Sequence, residues 1–302
     1  GRTEIVDLDG LKGFIHIINV LGEKLINDED FYLFGQVSEM FSEEEVKECL
    51  SLAGETNPII KKYYDAVMEF NGKGKEEDIP DSNELSLEEV FNIIDRTKDR
   101  NRNFELRSFG RKAKIFEIEQ VLGRLLKEDE KFKKLACLEV FTDRAFPSLE
   151  LGLFDLLQVE DKDIRYNSIW AMSNVEDKKV REFAVNYLNA KGKKCDPSML
   201  KLLENNYQPG DHKLIESVLK DWDDPDDNHE AVLNLLRIND KKERPELAGG
   251  FLWAYDHTPC SHCRGSIVES LVDWEEAPVL MLEECLMDCQ EDTVELAKSS
   301  FE

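Results

Sequence analysis

Apolar side chains recur at a spacing near 3.6 residues along almost the whole chain, and alternating runs are rare. That period predicts helices rather than strands. Leu11 to Leu25 reads as one helix and Phe31 to Phe41 as a second. Ser42-Glu43-Glu44-Glu45 has the form of a capping box, in which the serine accepts an exposed amide hydrogen and Glu45 reaches back. The helix it opens carries Val46, Leu50 and Ala53 on one face. Asn57-Pro58 starts another, with Ile59, Ile60, Tyr63, Val67 and Phe70 turned to a core. His16 falls inside the apolar face of the first helix and is expected in that core.

The period stops at Asn71. Residues 71–85 are polar, charged and aperiodic, which predicts a flexible linker between an N-terminal helical cap or lobe, 1–70, and a helical array, 86–302. Ser86-Leu87-Glu88-Glu89 restarts the helices with a second capping box. Helices of roughly 10–15 residues then follow one another, separated by short Asp-, Asn- or Gly-containing turns. Ile164, Arg165, Ser168 and Met172 match Val180, Arg181, Ala184 and Leu188 at the same offsets, and Cys263, Arg264, Ile267 and Leu271 repeat the set. Two such helices make a hairpin of about 32 residues, which buries its apolar stripe only by stacking on neighbours.

Ile164-Arg165 through Met172, the turn Asn174-Val175-Glu176-Asp177, and Val180-Arg181 through Leu188 resemble a short-type HEAT repeat. The segment from Cys260-Ser261-His262-Cys263-Arg264 to Glu295-Leu296-Ala297 is similar to the closing repeats of uncharacterised bacterial HEAT-repeat proteins. The resemblance covers roughly residues 105–302, densest at 160–190 and 255–300. Residues 195–250 fit less well, because the stretch from Asp221 to Glu230 and the Gly249-Gly250 pair interrupt the period; the helices before the linker lie outside the pattern. The resemblance implies an all-α fold, an α-solenoid of stacked antiparallel hairpins with a non-repeat N-terminal helical segment. It also implies use in binding proteins rather than in catalysis.

Composition narrows the choice of partner. Of 302 residues 41% are hydrophobic and 34% charged, enough apolar content for a sizeable core. The net charge is −26, a field that repels nucleic acid and anionic membranes and attracts a basic protein. The longest apolar run, Phe14 to Leu21, is broken by His16 and Asn19 and is too short to span a bilayer. Seven cysteines, an odd number spread along the chain, fit reduced thiols, and with no visible secretory signal they predict a cytoplasmic protein. Only 9 Pro and 16 Gly occur, few for an all-β chain of this size.

Three clusters invite chemistry. Residues 96–114 carry Arg96, Lys98, Arg100, Arg102, Arg107, Arg111, Lys112 and Lys114 against Asp99 and Glu105, a basic island with Phe104 and Phe109 inside it. Arg102, Arg107, Arg111 and Phe109 are the residues expected to bind if the island takes up phosphate, nucleic acid or an acidic partner. The alternative is that it pairs internally with the acidic remainder. Cys260, Cys263, Cys285 and Cys289, with His257 and His262 close in sequence, offer four thiolates for a tetrahedral zinc, or else small apolar residues of a packed stripe. The acidic stretch 221–228 fails as an EF-hand loop: counted from Asp221, the required Gly and Glu positions hold Asp226 and Val232. It reads as a solvated loop with a cap for the next helix.

Arg165 and Arg181 recur with the repeat and are expected to line the inner ridge or pair with an Asp of an adjacent turn. The chain has no nucleophile-elbow, phosphate-loop or zinc-protease motif, and no cofactor is expected. The expectation is a non-catalytic scaffold for a basic protein partner, with its oligomeric state left open.

Overall fold

The computed structural model describes residues 2–27, 31–73, 85–99, 103–190, 195–222 and 224–301. Among these the chain is helical, with no strand, and no helix is long and apolar enough to cross a membrane. Most of the expected linker, 74–84, lies outside the described residues, as does Arg102. The chain divides into two compact units. One comprises Gly1–Ser82, Pro259–Gly265 and Ala277–Glu302; the other comprises Asn83–Thr258 and Ser266–Glu276.

In the first unit, α1 (Arg2–Asn27), α2 (Tyr32–Phe41), α3 (Glu43–Gly54) and α4 (Pro58–Lys73) pack on one another. Helix α1 begins earlier than expected and kinks at Gly10, whose φ of 60° is open to glycine at little cost. Phe14, Ile17, Ile18 and Leu25 of α1 meet Leu33, Phe34 and Val37 of α2, Val46 and Leu50 of α3, and Ile60, Tyr63 and Val67 of α4. The spacing of these residues by three and four is what puts each set on one helical face. His16 is exposed, contrary to expectation: Phe14, Ile17 and Ile18 fill the buried stripe and residue 16 falls on the opposite side of it. Phe70 is also largely exposed, with its ring 5.2 Å from that of Phe31. Ser42 caps α3 by accepting from the Glu45 amide.

The second unit is built of α5 (Leu87–Arg96), α6 (Phe104–Lys112), α7 (Ile115–Leu125), α8 (Lys131–Glu139), α9 (Leu151–Leu156), α10 (Lys162–Ser173) and α11 (Lys178–Leu188). A 3-10 segment (Pro197–Leu203), α12 (Asp211–Leu219), α13 (Pro225–Lys241) and α14 (Ala248–His257) follow. Helix α15 (Ser261–Asp273) gives its residues from Ser266 onward to this unit. Ser86 and Glu89 form a complete capping box at α5. Aspartates start the later elements: Asp161, Asp177, Asp196 and Asp224 each accept a backbone amide of the turn they open. Asp224 is the cap within the acidic stretch, and Trp222 beside it is buried with its indole nitrogen donating to the Cys195 carbonyl.

Packing in this unit alternates. Helix α6 lies on α8, α8 on α10, α10 on the 3-10 segment and that segment on α13, while α11 lies on α12 and α12 on α14. The approach of α6 to α8 is close enough that a Cβ at Gly110 would overlap the Val140 carbonyl oxygen. Polar bonds repeat at one sequence separation. Arg107 meets Glu139, Arg111 meets Asp143, Lys131 meets Asp163, Arg165 meets Asp196 and Arg181 meets Asp211, each 30 to 32 residues on. Asparagine amides add a second series: Asn174 donates to the Phe141 and Thr142 carbonyls, Asn205 to Ser173 and Asn206 to Val175. These side chains satisfy carbonyls that helix ends leave unpaired.

In the first unit, α16 (Val279–Cys285) and α17 (Glu291–Ser299) pack together.

Candidate functional site

Two hollows lie on the second unit, and Tyr166 lines both. It sits in the second turn of α10, started by the Asp161 cap, and is 37% exposed. Trp170 follows one turn later, its ring 6.0 Å from that of Tyr166.

The first hollow, of about 190 Å³, is walled by Phe132, Tyr166 and Trp170 with Leu135 and Ala136. Arg107 and Glu139 line it as a pair, Nε donating to Oε2 at 2.7 Å, and Glu139 is buried. Asp99 stands exposed in the lining. The Trp170 ring already carries cations: the Lys201 ammonium lies 4.0 Å and the Arg237 guanidinium 4.7 Å from its centre. Lys201 is buried and bonds Glu204 at 2.8 Å; desolvation lowers its pKa despite that carboxylate.

The second hollow, of about 690 Å³, is more open and more acidic. Asp163, Asp196, Asp226, Asp227 and Glu230 line it against Lys162 and Arg165. Arg165 is already spent, with Nε bonded to Asp196 at 2.9 Å and Nη1 to the Val159 carbonyl at 2.7 Å. Asp163 accepts Lys131 at 2.7 Å, and that bond, with a second that Lys131 donates to Asp161, holds the Lys131 ammonium above its ordinary pKa. Asp226, Asp227 and Glu230 stand on the first turns of α13, whose N-terminal end favours negative charge. Tyr187 closes one side, its phenol raised in pKa by burial.

The structure places the expected binding residues apart. Arg107 lines the first hollow but is tied to Glu139. Arg111 is exposed and bonds Asp143 at 3.2 Å. Phe109 is buried in the core and Phe104 is 70% exposed at the start of α6. Among the cysteines, Cys260 and Cys263 bring their sulfurs within 4.8 Å of one another, with Cys263 and Cys285 buried and Cys260 and Cys289 half-buried. The four sulfurs do not gather into one group at that distance. His257 stacks on Trp253 at 4.5 Å, and His262 lies 3.0 Å from the Gln290 amide nitrogen.

Tyr166 and Trp170, aromatics one helical turn apart, are indistinguishable in sequence from a packed core pair. Their signal was position: both sit on the helix that also carries the repeated Arg165. The chain matches no protein-family model and no curated protein sequence.

Proposed function

We propose that this chain is a non-catalytic scaffold, an α-solenoid of HEAT-like helix hairpins that docks a basic protein partner along the two hollows flanking Tyr166. The observation that carries this reading is the fate of the charges around Tyr166. The arginines lining the hollows, Arg107 and Arg165, are each held by a carboxylate 32 or 31 residues further on, and Asp226, Asp227 and Glu230 stand together on one rim. Supporting the solenoid is the recurrence of polar bonds at 30 to 32 residues, the period of one helix hairpin. The net charge of −26 steers a positively charged partner toward such a surface. The resemblance to HEAT repeats points the same way, towards binding.

Carbodiimide coupling tests this, because it joins a carboxylate to a lysine amine held against it. Complexes formed in native lysate at low salt are coupled, digested and sequenced. The expected products link Asp226, Asp227 or Glu230 to lysines of a basic protein and disappear at high salt. Products confined to other surfaces, or an acidic partner, contradict the proposal.

A further inference from the structure

We propose that Cys260 and Cys263 form a redox-active dithiol, which glutathione disulfide oxidises to a reversible Cys260–Cys263 bond. The proposal stands apart from the scaffold reading. The two thiols have C-x2-C spacing at the start of α15, and their sulfurs lie within 4.8 Å of one another. The Cys260 carbonyl accepts the Arg264 amide at 3.0 Å, so Cys260 caps the helix and Cys263 stands three residues into its first turn. Side chains at a cap and three residues on meet, as the serine and glutamate of a capping box do. A disulfide needs about 2.0 Å between its sulfurs, a gap that side-chain rotation within one turn closes. The turn itself is held within the first unit: Arg264 pairs with Asp288 at 3.5 Å, and His262 Nδ1 lies 3.0 Å from the Gln290 amide nitrogen.

Exposure gives the two thiols different parts. Cys260 is half-buried and Cys263 is 6% exposed, so an incoming disulfide reaches Cys260 first. The amide end of this 13-residue helix favours the negative charge of an attacking thiolate. The Cys260 thiolate attacks one sulfur of glutathione disulfide, forms a mixed disulfide and expels a glutathione thiolate. Cys263 then gives its proton to solvent and attacks Cys260 Sγ. The second glutathione thiolate leaves, and both glutathiones take up protons. Two protein thiols are oxidised and one glutathione disulfide is reduced. The product closes a ring across only two intervening residues, so chain entropy stabilises it far less than a long-range bridge. Such a bond exchanges readily instead of serving as a permanent link.

The test equilibrates the full chain in glutathione buffers from reduced to oxidised, quenches with acid, alkylates and maps peptides by mass. Wild type is expected to lose two hydrogens from the peptide that carries both cysteines, and excess reduced glutathione restores them. Cys263→Ser is expected to accumulate a glutathione adduct on Cys260 that wild type resolves. Cys260→Ser is expected to react at least about ten-fold more slowly, because its remaining thiol is buried; circular dichroism checks both folds. A wild type that stays reduced in the oxidised buffer overturns the proposal, as does a disulfide to Cys285 or Cys289. Equal rates for the two variants overturn the assignment of Cys260 as the attacking thiol. One zinc per chain that survives dialysis of wild type and is lost from Cys260→Ser makes the pair metal ligands and overturns the exchange reading.

Discussion

Arg165 and Asp196 are joined by a 2.9 Å hydrogen bond from Nε to Oδ2 across 31 residues of sequence. Asp196 also accepts the Ser198 amide at 3.1 Å and so starts the 3-10 segment that lies on α10. One carboxylate thus both opens the 3-10 segment and ties it to α10. Both side chains are mostly buried, so removing one leaves a desolvated charge, at a cost of about 1–3 kcal/mol, and losing the cap adds about 1 kcal/mol. Denaturant midpoints are expected to fall in the order wild type, Asp196→Asn, Asp196→Ala, since Asn keeps the cap and loses the charge. Equal midpoints for the two variants contradict the double role.

Gly110 and Gly123 make a paired comparison. A methyl at Gly110 overlaps the Val140 carbonyl, and backbone must move to admit it; at Gly123, inside α7, nothing lies within 4 Å. Gly110→Ala is expected to destabilise by more than about 2 kcal/mol, beyond a typical point substitution. Gly123→Ala is neutral or stabilising by up to about 1 kcal/mol through helix propensity. Urea denaturation measures both, and tolerance of alanine at 110 contradicts the close packing of α6 on α8.

Burial pushes the Cys137 thiol up to about 12, from an ordinary value of 9.0. The native chain is therefore expected to keep Cys137 unlabelled by iodoacetamide at pH 8, with modification only on unfolding. The unfolded thiol ionises near pH 9.0 while the native one stays protonated, so the unfolded state binds fewer protons between pH 9.0 and about 12. Stability falls as pH rises through that window. The slope of unfolding free energy against pH is expected to be shallower in Cys137→Ala than in wild type. Equal slopes, or fast native labelling mapped to Cys137 by peptide mass, contradict it.

Local features were readable in the sequence because their partners lie within one turn. The Ser86–Glu89 box and the amide accepted by Ser42 are of this kind. Arg165 and Arg181 were marked by their repetition, but Asp196 and Asp211 as their partners could be found only once the helices were stacked. The asparagine series escaped notice although Asn174 and Asn206 stand 32 positions apart, since an isolated Asn in a turn reads as a turn former. His16 is exposed against expectation because a ring between Phe14, Ile17 and Ile18 looks apolar in sequence until the helical angle is followed around. The hollows were not legible at all, since they combine α6, α8, α10 and α13.

The account turns on the acidic rim by Tyr166, and the salt dependence of binding addresses it most directly. The dissociation constant of the full chain for an eight-residue peptide alternating glycine with arginine is measured from low to high salt, in wild type and in the double variant Asp226→Lys/Glu230→Lys. The account predicts affinity that falls steeply with salt in wild type, and an affinity at least about ten-fold weaker with a flatter salt slope in the variant. Wild type and variant binding alike at every salt concentration would contradict it.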